Sequence, residues 1–218
     1  MRGRPDDSPD VRLSKTLSYI LRHGAEKEYL KLRADGFIRL EDVLQRPKLK
    51  GFTVDDVRRV VAENDKQRFA LLEESHEDGS HVLLIRANQG HTLKVQALEL
   101  QPITSSEDLP LVIHGTFVKN WPRILLEGLK PMKRNHIHFA TGFIGDGNCI
   151  SGMRHACDIF IYLDIEKCFR DKISFFRSAN GVILSAGLES TKGIPPDYFK
   201  KVHNKEGKTL FPEEDSEQ

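Results

Sequence analysis

The chain has 218 residues, 39% of them hydrophobic and 30% charged, enough to bury one large core or two small ones. No apolar run reaches the roughly 20 residues that a membrane helix needs, and the start Met1-Arg2-Gly3-Arg4-Pro5 has no apolar signal-peptide core, so an intracellular protein, cytoplasmic or nuclear and without a membrane partner, is expected. The formal net charge of +1 is too small for a general polyanion binder; since residues 204–218 hold two Lys against five acids, the remainder is more basic, and any nucleic-acid contact is expected from a local patch.

Residues 1–10 are polar and contain proline, and 204–218 form an acidic stretch almost free of apolar residues; both are expected to be disordered. From residue 11, Leu13, Leu17, Ile20 and Leu21 fall on one helical face, and Gly24 is placed to end that helix as an αL cap. A turn at Asp35-Gly36 precedes the apolar stretch Phe37 to Leu40, and a short helix is predicted over Glu41 to Gln45, before Pro47. Thr53 and Asp56 form a capping box, with Asp in place of Glu, for a helix over Val54 to Ala62. Two strands follow, Arg68 to Glu73 and His81 to Arg86, joined through Asp78-Gly79. Helices followed by a hairpin describe a winged-helix lobe over residues 11–98.

Periodicity is lost between Glu99 and Pro110, where two prolines and two serines collect, so 99–110 is expected to be a linker. In the lobe beyond it, 111–203, strands are expected at Leu111 to His114, His136 to Phe139, Ile159 to Asp164 and Gly181 to Ser185. A helix is expected over Trp121 to Glu127, with Pro122 in its first turn and Gly128 at its end. Scattered strands with few helices argue for the α+β class, and no G-x-G-x-x-G follows a strand as a Rossmann fold requires.

The chemistry-bearing residues are cations and imidazoles spread over both lobes. Arg22-His23 close the first helix, where the macrodipole alone would favour them. Lys66 and Arg68 would share a face if the strand begins there, and could hold a phosphate. Arg134 stands beside His136-x-His138, the one metal-like spacing in the chain, but no third ligand lies at convincing spacing, so an anion is favoured over a metal. Phe175-Phe176-Arg177-Ser178 could stack a ring and meet a phosphate, with core packing the stronger reading of the phenylalanines. Cys149, Cys157 and Cys168 show no C-x-x-C spacing and read as reduced structural thiols.

The order of these strings closely resembles the NAD-dependent tRNA 2′-phosphotransferase family. The matching segments are Leu13-Ser14-Lys15 through Leu21-Arg22-His23-Gly24, Lys66-Gln67-Arg68-Phe69, Ile85 through Asn88-Gln89-Gly90-His91, Ile113-His114-Gly115-Thr116, Arg134-Asn135-His136-Ile137-His138, Ile150-Ser151-Gly152-Met153-Arg154 and Phe176 through Val182. The resemblance implies an RNA-binding winged-helix lobe followed by an ADP-ribosyltransferase-like lobe that binds NAD as co-substrate, without metal. It implies a reaction in which an internal RNA 2′-phosphate, as at a tRNA splice junction, passes to NAD through an ADP-ribosylated intermediate. The products would be 2′-hydroxyl RNA, nicotinamide and ADP-ribose 1″,2″-cyclic phosphate.

By the same resemblance Arg22, His23, Arg68 and Arg134 carry the catalysis, and Lys15, Lys66, Gln89 and His91 meet the RNA phosphates. His114, Gly115, Thr116, His136, His138, Ser151, Gly152, Arg154, Phe176, Arg177 and Ser178 would hold NAD. Thr92 stands where the family pattern suggests Ser, which keeps the hydroxyl. The partner expected is 2′-phosphorylated RNA, spliced tRNA foremost, bound by a monomer. The rival expectations are an ADP-ribosyltransferase that stops after the first step, and a non-catalytic winged-helix module that binds nucleic acid without consuming NAD.

Overall fold

The computed structural model describes residues 7–95, 98–143, 152–154 and 156–212. The chain divides into two compact units, Met1–Glu99 and Leu100–Gln218, and helices with antiparallel strands in both make the class α+β.

In the first unit α1 (Pro9–Tyr19) starts from Ser8, whose hydroxyl accepts the Val11 N–H, and Pro9 sits in the first turn, where its missing N–H costs nothing. Residues 9 and 10, expected to be disordered, therefore belong to the helix, with Ser8 as its cap. Leu13, Leu17, Ile20 and Leu21 are wholly buried, as their spacing predicts. After Tyr19 the chain widens into a π turn, Ile20–Gly24.

The αL cap expected at Gly24 lies five residues later. Tyr29 has φ 55°, the Leu30 N–H bonds to the Ala25 carbonyl at 2.9 Å, and the Tyr29 N–H bonds to the Glu26 carbonyl at 3.1 Å, the crossed pair of a Schellman closure. Gly24 instead makes room for a ring, since a Cβ there would lie 2.8 Å from Tyr19 Cε1.

Next come β1 (Ile38–Arg39), α2 (Leu40–Leu44) and α3 (Val54–Ala62). The capping box is present: Asp56 N–H bonds to Thr53 Oγ1 at 3.2 Å and Thr53 N–H to Asp56 Oδ2 at 2.8 Å. Bonds from the Thr53 backbone and from Arg59 pull the Asp56 carboxyl down to about 2. The hairpin β2 (Phe69–Ser75) and β3 (His81–Ala87) pairs from Phe69↔Ala87 to Ser75↔His81, and β1 joins the other edge of β3. Leu13, Leu17, Ile38, Val57 and Ile85 meet in one core between helices and sheet.

The second unit contains β4 (Leu100–Ile103), β5 (Ile113–Thr116), α4 (Trp121–Glu127), β6 (Ile137–Phe139), β7 (Ile159–Leu163), α5 (Ile165–Arg170), β8 (Phe175–Ser178), β9 (Ile183–Ser185), β10 (Phe199–Asn204) and β11 (Thr209–Phe211). Its described strands form two sheets, β11-β10-β7-β5 and β4-β8-β9-β6. Phe139, Ile161, Phe175, Ile183 and Val202 belong to one buried core. Residues 99–110, expected to be a linker, contain β4 and bury Leu109 in this core. Part of the expected disordered tail is also ordered: β11 pairs back on β10 through Val202↔Phe211 and His203↔Thr209. Leu210 and Phe211 pack against the core, an anchor that the charge count of the tail conceals. Residues 213–218 lie outside the described residues, as does Cys149. Cys157 and Cys168 are buried, and desolvation pushes the Cys168 thiol up to about 12. No helix among the described residues is long and apolar enough to cross a membrane.

Candidate active site

In the first unit one loop, Asn88–Leu93, gathers the residues singled out from the sequence. The Asn88 N–H bonds to the Arg68 carbonyl at 2.9 Å, and Asn88 Nδ2 donates to the Gln67 carbonyl at 2.7 Å. Gly90, at φ 88°, lies on the Arg22 side chain; a Cβ there would be 3.6 Å from Arg22 Nε and Cζ. The Arg22 carbonyl accepts the Thr92 N–H at 3.0 Å.

Thr92 Oγ1 stands 3.0 Å from His23 Nδ1 and 3.3 Å from the Arg22 carbonyl. A carbonyl can only accept, so the threonine proton goes to Arg22 and the His23 Nδ1–H donates to Thr92. The basic nitrogen of the neutral His23 ring is therefore Nε2.

Arg68 precedes β2, in a loop where Gln67 has φ 42°. The strand alternation expected to put Lys66 and Arg68 on one face thus does not apply. Asn64 Oδ1 accepts both the Arg68 N–H at 3.2 Å and Nη1 at 3.1 Å, and burial holds the guanidinium below its ordinary pKa. Among the described residues no carboxylate pairs with Arg68. Gln89 and His91 are buried, 7% and 3% exposed, so only a ligand that enters the unit could reach them. Lys15 pairs with Asp7 at 2.6 Å. Asn64 and Asn88 were not found from the sequence; an amide that fixes an arginine across a loop carries no periodic signal.

In the second unit the centre is the meeting of β5 and β6. Ile113 and Ala140 exchange two backbone bonds of 2.9 Å. A continued antiparallel ladder would next pair Gly115 with His138. Instead the His138 carbonyl receives Nδ1–H from the His114 side chain at 3.0 Å. Desolvation lowers the pKa of His114, so its ring is neutral with Nε2 as acceptor, and His136 is lowered in the same way.

Arg134 Nη1 lies 3.5 Å from His138 Nδ1; a guanidinium can only donate, so that nitrogen is unprotonated. Arg134 is held below its ordinary pKa by desolvation and then by the charge of Arg154. His136 and Phe176 face each other with ring centroids 6.4 Å apart. Thr116 Oγ1 accepts from Asn120 Nδ2 at 3.1 Å.

Four expected NAD residues are engaged within the protein itself, and a fifth lies outside the described residues. A Cβ on Gly115 would meet Met153 Cγ and Sδ at 2.7 Å and Cys157 Sγ at 3.0 Å, so the space that glycine leaves is filled by the protein. Arg177 lies on the opposite face of β8 from Phe176, with Nη2 3.4 Å from the Asp108 carbonyl. Ser178 is buried and staples its own turn, accepting the Val182 N–H at 3.1 Å. Ser151 lies outside the described residues. Gly152, at φ 110°, is wedged against β6, where a Cβ would be 2.6 Å from the Phe139 carbonyl.

Both units thus present arginines and imidazoles, an arrangement suited to phosphate groups rather than to cations. The chain belongs to the RNA 2′-phosphotransferase, Tpt1/KptA family, whose pattern matches residues 8–187. It is 52% identical over 207 residues to tRNA 2′-phosphotransferase 1 of Homo sapiens, covering 92% of this chain and 80% of that one. To tRNA 2′-phosphotransferase 1 of Danio rerio it is 48% identical over 201 residues, with 91% and 88% covered. To the tRNA 2′-phosphotransferase of Saccharomyces cerevisiae it is 39% identical over 204 residues, with 90% and 84% covered.

Proposed function

We propose that the protein transfers an internal 2′-phosphate of spliced tRNA to NAD, releasing 2′-hydroxyl RNA, nicotinamide and ADP-ribose 1″,2″-cyclic phosphate. The first unit, with its order α1, β1, α2, α3, β2, β3, serves as a winged-helix RNA reader, and the second as an ADP-ribosyltransferase-like NAD lobe. The observation that carries this reading is Arg68: a half-buried guanidinium steadied by a neutral amide, in the loop network that also holds Arg22 and His23. Such a group is an anion receptor whose charge is met by the ligand.

In the first step a 2′-phosphate oxygen attacks C1″ of the nicotinamide ribose, and the C–N bond to nicotinamide breaks. An ionised phosphate needs no general base, so the task of Arg22 and Arg68 is to orient it. In the second step the ribose 2″-hydroxyl attacks phosphorus and the RNA 2′-oxygen leaves with a proton. His23, oriented by Thr92 through Nδ1, moves protons at Nε2, and Arg22 and Arg68 steady the charge that develops on the phosphoryl oxygens.

The second unit supports NAD as co-substrate. The charge of Arg154 adds to the cost of keeping Arg134 charged, which a pyrophosphate beside Arg134 would relieve. His136 and Phe176 could flank a planar ring, and neutral His114 offers Nε2 to a ribose hydroxyl. The test is to incubate the protein with NAD and an RNA bearing one internal 2′-phosphate and to weigh the products. Dephosphorylated RNA with the cyclic phosphate is expected; persistent ADP-ribosylated RNA would instead make the protein an ADP-ribosyltransferase, and RNA binding without NAD consumption a binding module.

A further inference from the structure

The Schellman closure after the π turn places a tyrosine where the backbone favours glycine. Tyr29 has φ 55° and is 93% exposed, and its side chain makes no hydrogen bond, ion pair or ring contact among the described residues. Glycine would hold this conformation at lower cost. The residue therefore adds strain to the folded state and returns no packing to it, the pattern of a side chain kept for a ligand.

Its surroundings say which ligand. Glu28, beside it, binds the turn 46–50 in two ways: its carbonyl accepts from Arg46 Nη1 at 2.9 Å and its carboxylate pairs with Lys48 Nζ at 3.0 Å. Exposed Lys27 and Lys31 lie within two residues of Tyr29 in sequence, and the turn tied to Glu28 carries Arg46 and exposed Lys48 and Lys50, so that against exposed Glu26 and half-buried Glu28 the two segments keep a surplus of positive charge. The patch is continuous with the candidate site. Lys48 Nζ lies 5.2 Å from the centre of the Tyr19 ring, and that ring is 6.3 Å from His23.

We propose that this surface docks the single-stranded RNA flanking the 2′-phosphate, with Tyr29 stacking on an unpaired base and the four lysines meeting backbone phosphates. An exposed aromatic among cations is how proteins hold unstacked RNA, whereas duplex DNA or an acidic peptide would leave the ring unused. The proposal rests on RNA being the substrate, as argued above.

The test uses the whole protein, a minimal 2′-phosphorylated dinucleotide and a longer single strand with the same internal 2′-phosphate. Anisotropy without NAD reads binding, and product formation with NAD reads turnover. For Tyr29→Gly we expect a melting point equal to or above the native one, a KM for the longer RNA raised about tenfold, and unchanged kcat and dinucleotide turnover. A variant with Lys27, Lys31 and Lys50 all changed to Ala should show a shallower salt dependence of long-RNA binding. Tyr29→Gly that binds the longer RNA as tightly as the native protein, or that loses the dinucleotide equally, would overturn the docking surface. Native protein that binds the longer RNA through Tyr29 but transfers no phosphate would overturn the transferase reading and leave the docking surface standing.

Discussion

Arg68 and His23 each bond to a neutral side chain, Asn64 and Thr92, and those neighbours make the residue-level reading testable. Arg68→Lys keeps the charge but loses the planar fork, so kcat/KM for 2′-phosphorylated RNA should fall about thirtyfold, the loss of one charged hydrogen bond of about 2 kcal/mol. Thr92→Val removes the acceptor that fixes the His23 tautomer and should lower kcat about tenfold, with Thr92→Ser restoring it; equal activity in both variants would dismiss Thr92 as a positioning residue. His114 and His136 add a pH dependence. Desolvation lowers both below 6.5, so the unfolded chain takes up protons first as the pH falls. Their contribution to stability is complete above 6.5 and is lost as pH drops through that value towards their folded pKa. The melting point should therefore decline as the pH falls below about 6.5, and His136→Gln should flatten the slope. The arginines and histidines were legible as types, because cations without matching carboxylates stand out in a sequence. Their arrangement was not, because it depends on Asn64 and Asn88, whose amides act across loops.

At the level of elements, the sequence reveals best those that carry their own signals. Helix α3 shows its capping box, β2 and β3 their turn at Asp78-Gly79, and α4 its Pro122 and Gly128. Thr53→Ala should accordingly cost about 1 kcal/mol in urea unfolding. Gly128→Ala should cost more than about 2 kcal/mol, since a Cβ there would lie 2.3 Å from the Ile194 carbonyl at a φ of 76°; a smaller loss would mean the loop yields easily. Strands β4, β8, β10 and β11 escaped recognition because partners remote in sequence make them. Gln101-Pro102 reads as a break until Phe176 and Arg177 lie opposite. The π turn escaped for a related reason: a one-residue widening leaves the hydrophobic face nearly unchanged, yet it moves the cap from Gly24 to Tyr29.

At the scale of the whole chain, each unit owns an apolar core, and each has been assigned its own ligand. A slowly reacting NAD analogue should therefore slow amide exchange in β5 and β6, and a 2′-phosphorylated RNA should slow it around residues 20–24 and 88–93, because a ligand that binds only the native state suppresses local opening. Exchange in β5 indifferent to NAD would remove His114 and Thr116 from the dinucleotide site. The break between units falls at Glu99, where apolar periodicity fades. What lies just beyond it was misjudged, because polar residues with two prolines describe an edge strand as well as they describe a tether.

The two sheets of the second unit are in effect one sheet left unfinished. Ile113 and Ala140 fasten the first rung, and then an imidazole takes the place of the next, so the zipper between β5 and β6 is stopped at its second rung by His114. On this view His114→Ala would do more than remove an imidazole: it would let the His138 carbonyl turn to the backbone of Gly115, and the two sheets would join by becoming more regular.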